Sequence, residues 1–233
     1  MRISQFRNII RSKKVVSFDI FDTLIERKCL LPPDVFFLAA RAFYGDFKRA
    51  ACFCSARMRA ERSARSASIG GEVTLDDIYN TIEWDKREAD SLKDLELKTE
   101  ITVCKPKRIG VRLLEEALNQ SKQVVLISDM YLPSDFIECL LKSNRIEGYD
   151  QLFLSCLYGD GKSSGRLFDI ALKTLDVKPV DIVHFGDSYK SDYKGAKKNG
   201  IEAHLISRKN VLMRLLFSKL NSYLSLRLRY GRQ

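Results

Sequence analysis

The stretch Val15-Val16-Ser17-Phe18-Asp19-Ile20-Phe21-Asp22-Thr23-Leu24 decides the reading of this chain. It is a short β-prone run that stops on a carboxylate, followed by a turn carrying a second carboxylate and a hydroxyl. A buried strand that delivers Asp19 to its C-terminal end puts it where open α/β sheets keep their reactive groups. Two later segments end in the same manner, and a loop between them carries a cation. Val124-Val125-Leu126-Ile127 ends on Ser128, with Asp129 next, and Asp181 to Gly186 runs into Asp187, with Asp192 five residues on. Between them Lys162 stands among Gly159, Gly161, Ser163, Ser164 and Gly165.

Strand-like segments fall near 15–19, 124–128, 152–155, 182–186 and 203–206. Helix-period stretches lie between the later ones, from Pro133 to Lys142, Gly165 to Leu175 and Lys190 to Asn199. That alternation predicts an α/β fold with a Rossmann-like parallel sheet. About a hundred residues separate the first two strands, far more than a crossover needs. They carry helical patterns over Pro33–Phe43, Phe47–Ala67, Thr74 onward and Glu88–Val103. Residues 27–107 are therefore read as an inserted α-helical cap, and 1–26 with 108–207 as the core. Residues 208–233 are read as a basic amphipathic C-terminal helix, with leucines at 212, 216, 220, 224 and 228.

The 233 residues are 45% apolar and 30% charged, which describes a globular protein rather than a disordered one. No apolar run reaches the roughly 18–20 residues that cross a bilayer, and Met1–Lys14 lacks the pattern of a secretory signal. Six scattered cysteines fit reduced thiols and a cytoplasmic location, and His184 and His204 fit core packing. The formal charge is +10. Glu72 to Glu100 is acidic, whereas no acid follows Glu202 and seven bases do. The tail helix is read first as a cover for the chain's own core or as a partner interface. Its alternative is the anionic inner face of a membrane, and nucleic-acid binding is not expected.

A carboxylate can attack phosphorus and divide one hard hydrolysis into two easier steps. The transferring group then needs its charge held by a hydroxyl, a cation and a metal, roles open to Ser128, to Lys162 and to the pair Asp187 and Asp192. In this order the four segments resemble the motifs of the haloacid dehalogenase superfamily, with a type-1 helical cap after the first motif. The resemblance implies Asp19 as nucleophile, Ser128 and Lys162 on the transferring group, and Thr23 and Asp129 beside the substrate. It further implies Mg²⁺ held by Asp19, Asp187, Asp192 and the backbone carbonyl of Phe21. The wording Phe-Asp-Ile-Phe-Asp-Thr-Leu with Ser-Asp-Met-Tyr-Leu-Pro is similar to a bacterial subgroup found beside glycosyltransferases of cell-surface polysaccharide synthesis.

One position departs from the pattern. The family's phosphatases carry an acid/base aspartate two residues after the nucleophile, and here that residue is Phe21. Asp22 stands where the family usually has Gly, and is either a turn residue or a displaced acid/base. The expected function is a Mg²⁺-dependent phosphohydrolase acting on a small phosphorylated metabolite such as a sugar phosphate, with Arg57, Arg59, Arg62 and Arg65 of the cap read either as substrate contacts or as a solvated stripe. The alternatives are a catalytically weak or inactive binding module in polysaccharide synthesis, and a dehalogenase-type hydrolase, whose leaving halide needs no proton.

Overall fold

The computed structural model describes residues 4–207 and 210–231. In chain order its elements are α1 (Ser4–Ser12), β1 (Val15–Phe18), β2 (Ile25–Arg27), α2 (Asp34–Tyr44), α3 (Phe47–Ala67), α4 (Leu75–Thr81), α5 (Lys86–Val103), β3 (Cys104–Pro106) and α6 (Arg108–Asn119). There follow β4 (Gln123–Ser128), α7 (Ser134–Ser143), β5 (Gln151–Leu154), α8 (Ser155–Tyr158), α9 (Arg166–Leu175), β6 (Ile182–Gly186), a π-helical turn (Tyr189–Lys194), α10 (Gly195–Lys198), β7 (Glu202–Leu205), α11 (Val211–Ser218) and α12 (Ser222–Tyr230). The chain forms two compact units. The first holds Met1–Glu26, Gly70–Glu72 and Lys105–Arg208, and the second holds Arg27–Ile69, Val73–Cys104 and Lys209–Gln233.

The first unit is built on a five-stranded sheet in the order β5-β4-β1-β6-β7. Every pairing is parallel, with Phe18 opposite Leu126 on one side and Phe185 on the other. All four residues of β1 are buried, as its central place requires. From β1 the later strands are added on both sides, which makes its C-terminal end the switch point of the sheet. Strand alternation divides the core. Val15, Val125, Ile127 and Ile182 pack with Leu167, Phe168 and Ala196 from α9 and α10. On the opposite face Phe18 and Phe185 stack at 5.5 Å, and Phe6 of α1 meets Phe185 edge-on at 5.4 Å. The α/β expectation is thus met, while α1 and the short β2–β3 ribbon have no counterpart in the sequence reading.

The second unit contains α2–α5 with α11 and α12. Helices α3, α4 and α5 start on side-chain caps: Asp46 accepts from Arg49 N, Asp85 from Glu88 N, and Thr74 with Asp77 forms a full capping box. The inner stripe of α5 includes Ala89 and Leu92 but also buried Glu96 and Glu100. Both acids are paired. Arg57 grips Glu96 through two hydrogen bonds of 2.9 and 2.8 Å, and Arg27 meets Glu100 at 2.6 Å. Arg57 is fully buried, with its guanidinium 4.2 Å from the centre of the Phe36 ring. This corrects the expectation that Arg57 meets substrate, since its donors are turned inward to satisfy carboxylates. Arg65 is likewise engaged, at 3.1 Å from Glu61.

The tail is a second correction. It forms two helices where one was expected over 208–233, and residues 208, 209, 232 and 233 of that span lie outside the described ones. The Asn221 side chain accepts from Leu224 N and starts α12 anew. Among the described residues no helix is long and apolar enough to cross a membrane.

Candidate active site

Asp19 follows β1 directly, and its N–H still donates to Phe185 O at 2.9 Å, one step beyond the paired strand. The chain then winds around a single carbonyl. Leu24 N and Ile25 N both donate to Ile20 O, at 2.8 and 3.0 Å. Asp22 takes a φ of +57° in this turn, a left-handed conformation that Asp tolerates and Gly adopts freely. Its backbone carbonyl accepts from the buried Lys107 ammonium. Phe21 is 9% exposed, so an aromatic ring fills the place of the usual acid.

The other groups arrive from neighbouring strand ends. Ser128 closes β4, and its hydroxyl donates to Asp19 Oδ1 at 3.3 Å. Lys162 begins a short 3₁₀ turn whose carbonyl packs against Gly195, where a Cβ would lie 2.1 Å away. Its backbone N–H donates to Asp129 Oδ1 at 2.7 Å, so the Asp129 side chain anchors this loop. The Lys162 ammonium then lies between two carboxylates, 2.6 Å from Asp19 Oδ1 and 2.5 Å from Asp192 Oδ1.

Asp192 comes from the π-helical turn after β6, where Asp192 N and Tyr193 N both donate to Ser188 O. It folds back over Gly186 so closely that a Cβ there would sit 2.2 Å from its carboxyl carbon. Its Oδ2 accepts from Asp187 N and Ser188 N, at 2.9 and 2.7 Å. Its Oδ1 accepts from Lys162 and also faces His184 Nε2 at 3.3 Å. Burial holds His184 below its usual pKa, leaving the ring neutral. Asp192 offers no proton, so Nε2 must carry the hydrogen, and Ser17 Oγ, 2.9 Å from Nδ1, then donates to that nitrogen.

Electrostatics sharpen the picture. Burial, with the Asp192 charge beside it, outweighs the attraction of Lys162 and pushes the Asp19 carboxyl up to about 6. Asp192 moves the other way. Its burial opposes ionisation, but Lys162 and His184 more than compensate and hold it below the usual carboxylate range. Burial likewise works against the Lys162 charge, and Asp19, Asp192 and Asp129 together raise its pKa. Asp19 Oδ1 is thus held by Ser128 and Lys162, while no hydrogen bond from the described residues engages Oδ2. The Thr23 hydroxyl helps keep the carboxylate ionised but is buried without a hydrogen bond inside 3.5 Å. It is an orphaned donor beside the nucleophile candidate.

Carboxylate oxygens of Asp19, Asp187 and Asp192 lie within 4.8 Å of one another, a cluster able to hold a metal ion. Asp22 is not among them. Asp192 already accepts four donors, whereas Asp19 accepts two, both on Oδ1, and so has the greater spare capacity for a cation. Hard oxygen donors of this kind suit a magnesium-sized ion.

Three participants were missed in the sequence. His184 was read as core and Ser17 was given no role, yet they face each other in register across β6 and β1 and orient Asp192. A polar residue at matching depth in each of two buried strands was the available signal. Glu72 was also missed. Its carboxylate accepts from Ser155 Oγ at 2.6 Å, and Ser155 Oγ accepts from Met130 N at 3.0 Å, which ties down the loop after Ser128. Nothing local marks Glu72, because its partner is 83 residues away.

Comparison with known proteins agrees with this geometry. The L-2-haloacid dehalogenase from Xanthobacter autotrophicus is 16% identical with a TM-score of 0.61, covering 93% of this chain and 88% of that one. The same enzyme with chloropropionic acid covalently bound gives 15% and 0.62, with the same coverage. At such identity the likeness establishes the fold. In sequence, a 61-residue stretch is 38% identical to haloacid dehalogenase-like hydrolase domain-containing protein 3 of Bos taurus. That stretch is 26% of this chain and spans only 24% of the relative's length. The family described as haloacid dehalogenase-like hydrolase matches residues 13–200, from the strand before Asp19 to beyond Asp192. With most of its length inside that match, this chain belongs to the haloacid dehalogenase-like hydrolases.

Proposed function

We propose that the protein hydrolyses its substrate through a covalent intermediate on Asp19, and that the leaving group departs without taking a proton. The observation that carries this reading is the pairing of a buried Phe21 with a left-handed Asp22. The acid that would protonate a poor leaving group is replaced by a ring, and the nearest carboxylate in sequence belongs to a turn.

Asp19 Oδ2 is the attacking atom, because Oδ1 is fixed by Lys162 and Ser128. Attack bonds Oδ2 to the substrate, as an acyl phosphate with phosphorus or an ester with carbon, and the leaving group carries off the bonding pair as an anion. Lys162, steadied by Asp192, Asp129 and indirectly His184, holds negative charge on the reacting group. The Thr23 hydroxyl finds its missing acceptor there. Water then cleaves the intermediate and restores the carboxylate.

Two substrate classes satisfy these terms, and each has its own support. A phosphate ester with an acidic leaving group is favoured by charge. Three converging carboxylates face one ammonium, and a phosphate would be repelled unless a divalent cation joined them. Asp19, Asp187 and the Phe21 carbonyl would hold Mg²⁺, which supplies charge neutralisation when bound. A halide leaving group is favoured by Phe21 and by the named activity of the similar solved structures. In that case no metal is needed, and Asp187, whose carboxylate lies within 4.8 Å of that of Asp19, takes the proton of the attacking water. A place beside polysaccharide glycosyltransferases rests only on the resemblance of the two motif wordings.

The test is release of phosphate and of halide. Substrates are p-nitrophenyl phosphate, a panel of alkyl sugar phosphates and L-2-chloropropionate, each with Mg²⁺ and with EDTA, for wild type and Asp19→Asn. Turnover of one activated class, abolished in Asp19→Asn, supports the reading. Equal turnover of alkyl sugar phosphates and p-nitrophenyl phosphate refutes it, since an alkoxide does need an acid. No turnover above Asp19→Asn on any substrate would leave a binding module.

A further inference from the structure

The C-terminal pair of helices is built with its apolar side outward. At 3.6 residues per turn, Val211, Leu215, Leu212, Leu216 and Met213 sweep one broad arc of α11, and all five are exposed, Leu212 at 80% and Leu216 at 55%. Arg214 and Phe217, on the remaining arc, are the partly covered residues. No residue of α11 is buried. Of the fifteen exposed large apolar side chains among the described residues, eight lie in α11 and α12. A helix apolar over most of its circumference is ordinarily buried in a core or a membrane, and a patch of this kind marks an interaction surface.

The neighbouring helix shows that this is no loose end. In α12, Ser225 and Leu226 are buried, Arg229 forms an ion pair with the fully buried Asp34, and Tyr230 donates to the same carboxylate at 3.1 Å. So α12 fastens the tail to its own unit while α11 keeps its apolar arc in solvent.

Charge identifies the occupant. After Glu202 the sequence holds seven bases and no acid, and Lys219 and Arg227 are exposed among the described ones. A second copy docking face to face would bring like charges together, Lys219 and Arg227 among them. We infer that the outward arc of α11 docks on an anionic lipid bilayer, its aliphatic side chains entering the acyl boundary while exposed Lys219 and Arg227 meet the head groups. The docking is peripheral, since an eight-residue helix cannot span.

Vesicle flotation of the full chain tests this, with phosphatidylcholine alone and mixed with phosphatidylglycerol. Binding is expected to the mixed vesicles only, to weaken with added salt, and to fall about a hundredfold in Leu212→Ser/Leu216→Ser, which removes two large apolar contacts. Leu157→Ser, at an exposed leucine of the other unit, should leave it unchanged. Failure of wild type to bind the mixed vesicles overturns the inference, as does binding that the double variant or salt does not reduce. A wild-type dimer in sedimentation equilibrium that the double variant converts to monomer would assign the surface to a second copy instead. None of these readouts depends on which substrate the site hydrolyses.

Discussion

Replacing Asp19 by asparagine should yield a dead but more stable protein, and the gain should depend on pH. The carboxyl is buried and pushed up to about 6, against the ordinary 3.8. In the interval between those values the folded chain binds more protons than the unfolded one, so this group makes stability fall as pH rises through it. Above about pH 7 the full difference is present, about 3 kcal/mol at 1.36 kcal/mol per tenfold change. Below about pH 3 it vanishes, because both states are protonated. Asparagine removes the buried charge and leaves Lys162 paired with Asp192. The amide's own desolvation offsets part of the gain, so about 1–2 kcal/mol is expected near neutrality, or about 2–6 °C in Tm. Calorimetry or far-ultraviolet circular dichroism in EDTA is the assay. Tryptophan fluorescence would mislead, because the single Trp84 lies in the other unit. A variant less stable than wild type near pH 7, or one whose advantage persists unchanged near pH 4, refutes this account of the site.

Phe21→Asp should raise turnover of alkyl phosphates relative to p-nitrophenyl phosphate by about 10²-fold, the usual worth of a general acid; an unchanged ratio means the position is not aimed at the leaving group. If the carboxylate cluster binds Mg²⁺, a hundredfold excess over Kd should stabilise the wild type by about 2.7 kcal/mol. Asp187→Asn should abolish that gain, and differential scanning calorimetry with and without EDTA decides it. Arg57→Met leaves buried Glu96 without its bidentate partner and should cost about 3–5 kcal/mol. Adding Glu96→Gln should recover part of that loss in urea denaturation. His184→Phe should lower turnover about tenfold by releasing Asp192 from one of its orienting donors, with p-nitrophenyl phosphate or chloropropionate as the readout.

Much of the site was legible because it is written locally. The strands β1, β4 and β6 are largely apolar runs, and the polar residue that ends or follows each is the one that matters: Asp19, Ser128 and Asp187. In a parallel sheet those ends converge at one edge, so local patterns sufficed to gather residues a hundred and more positions apart. The Thr74 capping box was equally local. The break in the tail was written there too, in Asn221 as a helix cap, but the leucine period across it concealed the stop.

What the linear chain could not decide concerns pairing. Four arginines of one helix look alike in sequence, yet Arg57 alone turns inward, because Glu96 of α5 lies opposite it. His184 becomes an orienting donor only because β6 lies beside β1 in a register that sets it against Ser17, while the π-helical turn folds Asp192 back over Gly186. Patterns of burial and strand ending follow from side-chain chemistry along a few residues. Which polar partner answers which depends on register and on packing distances of a few ångströms, and only the folded chain sets those.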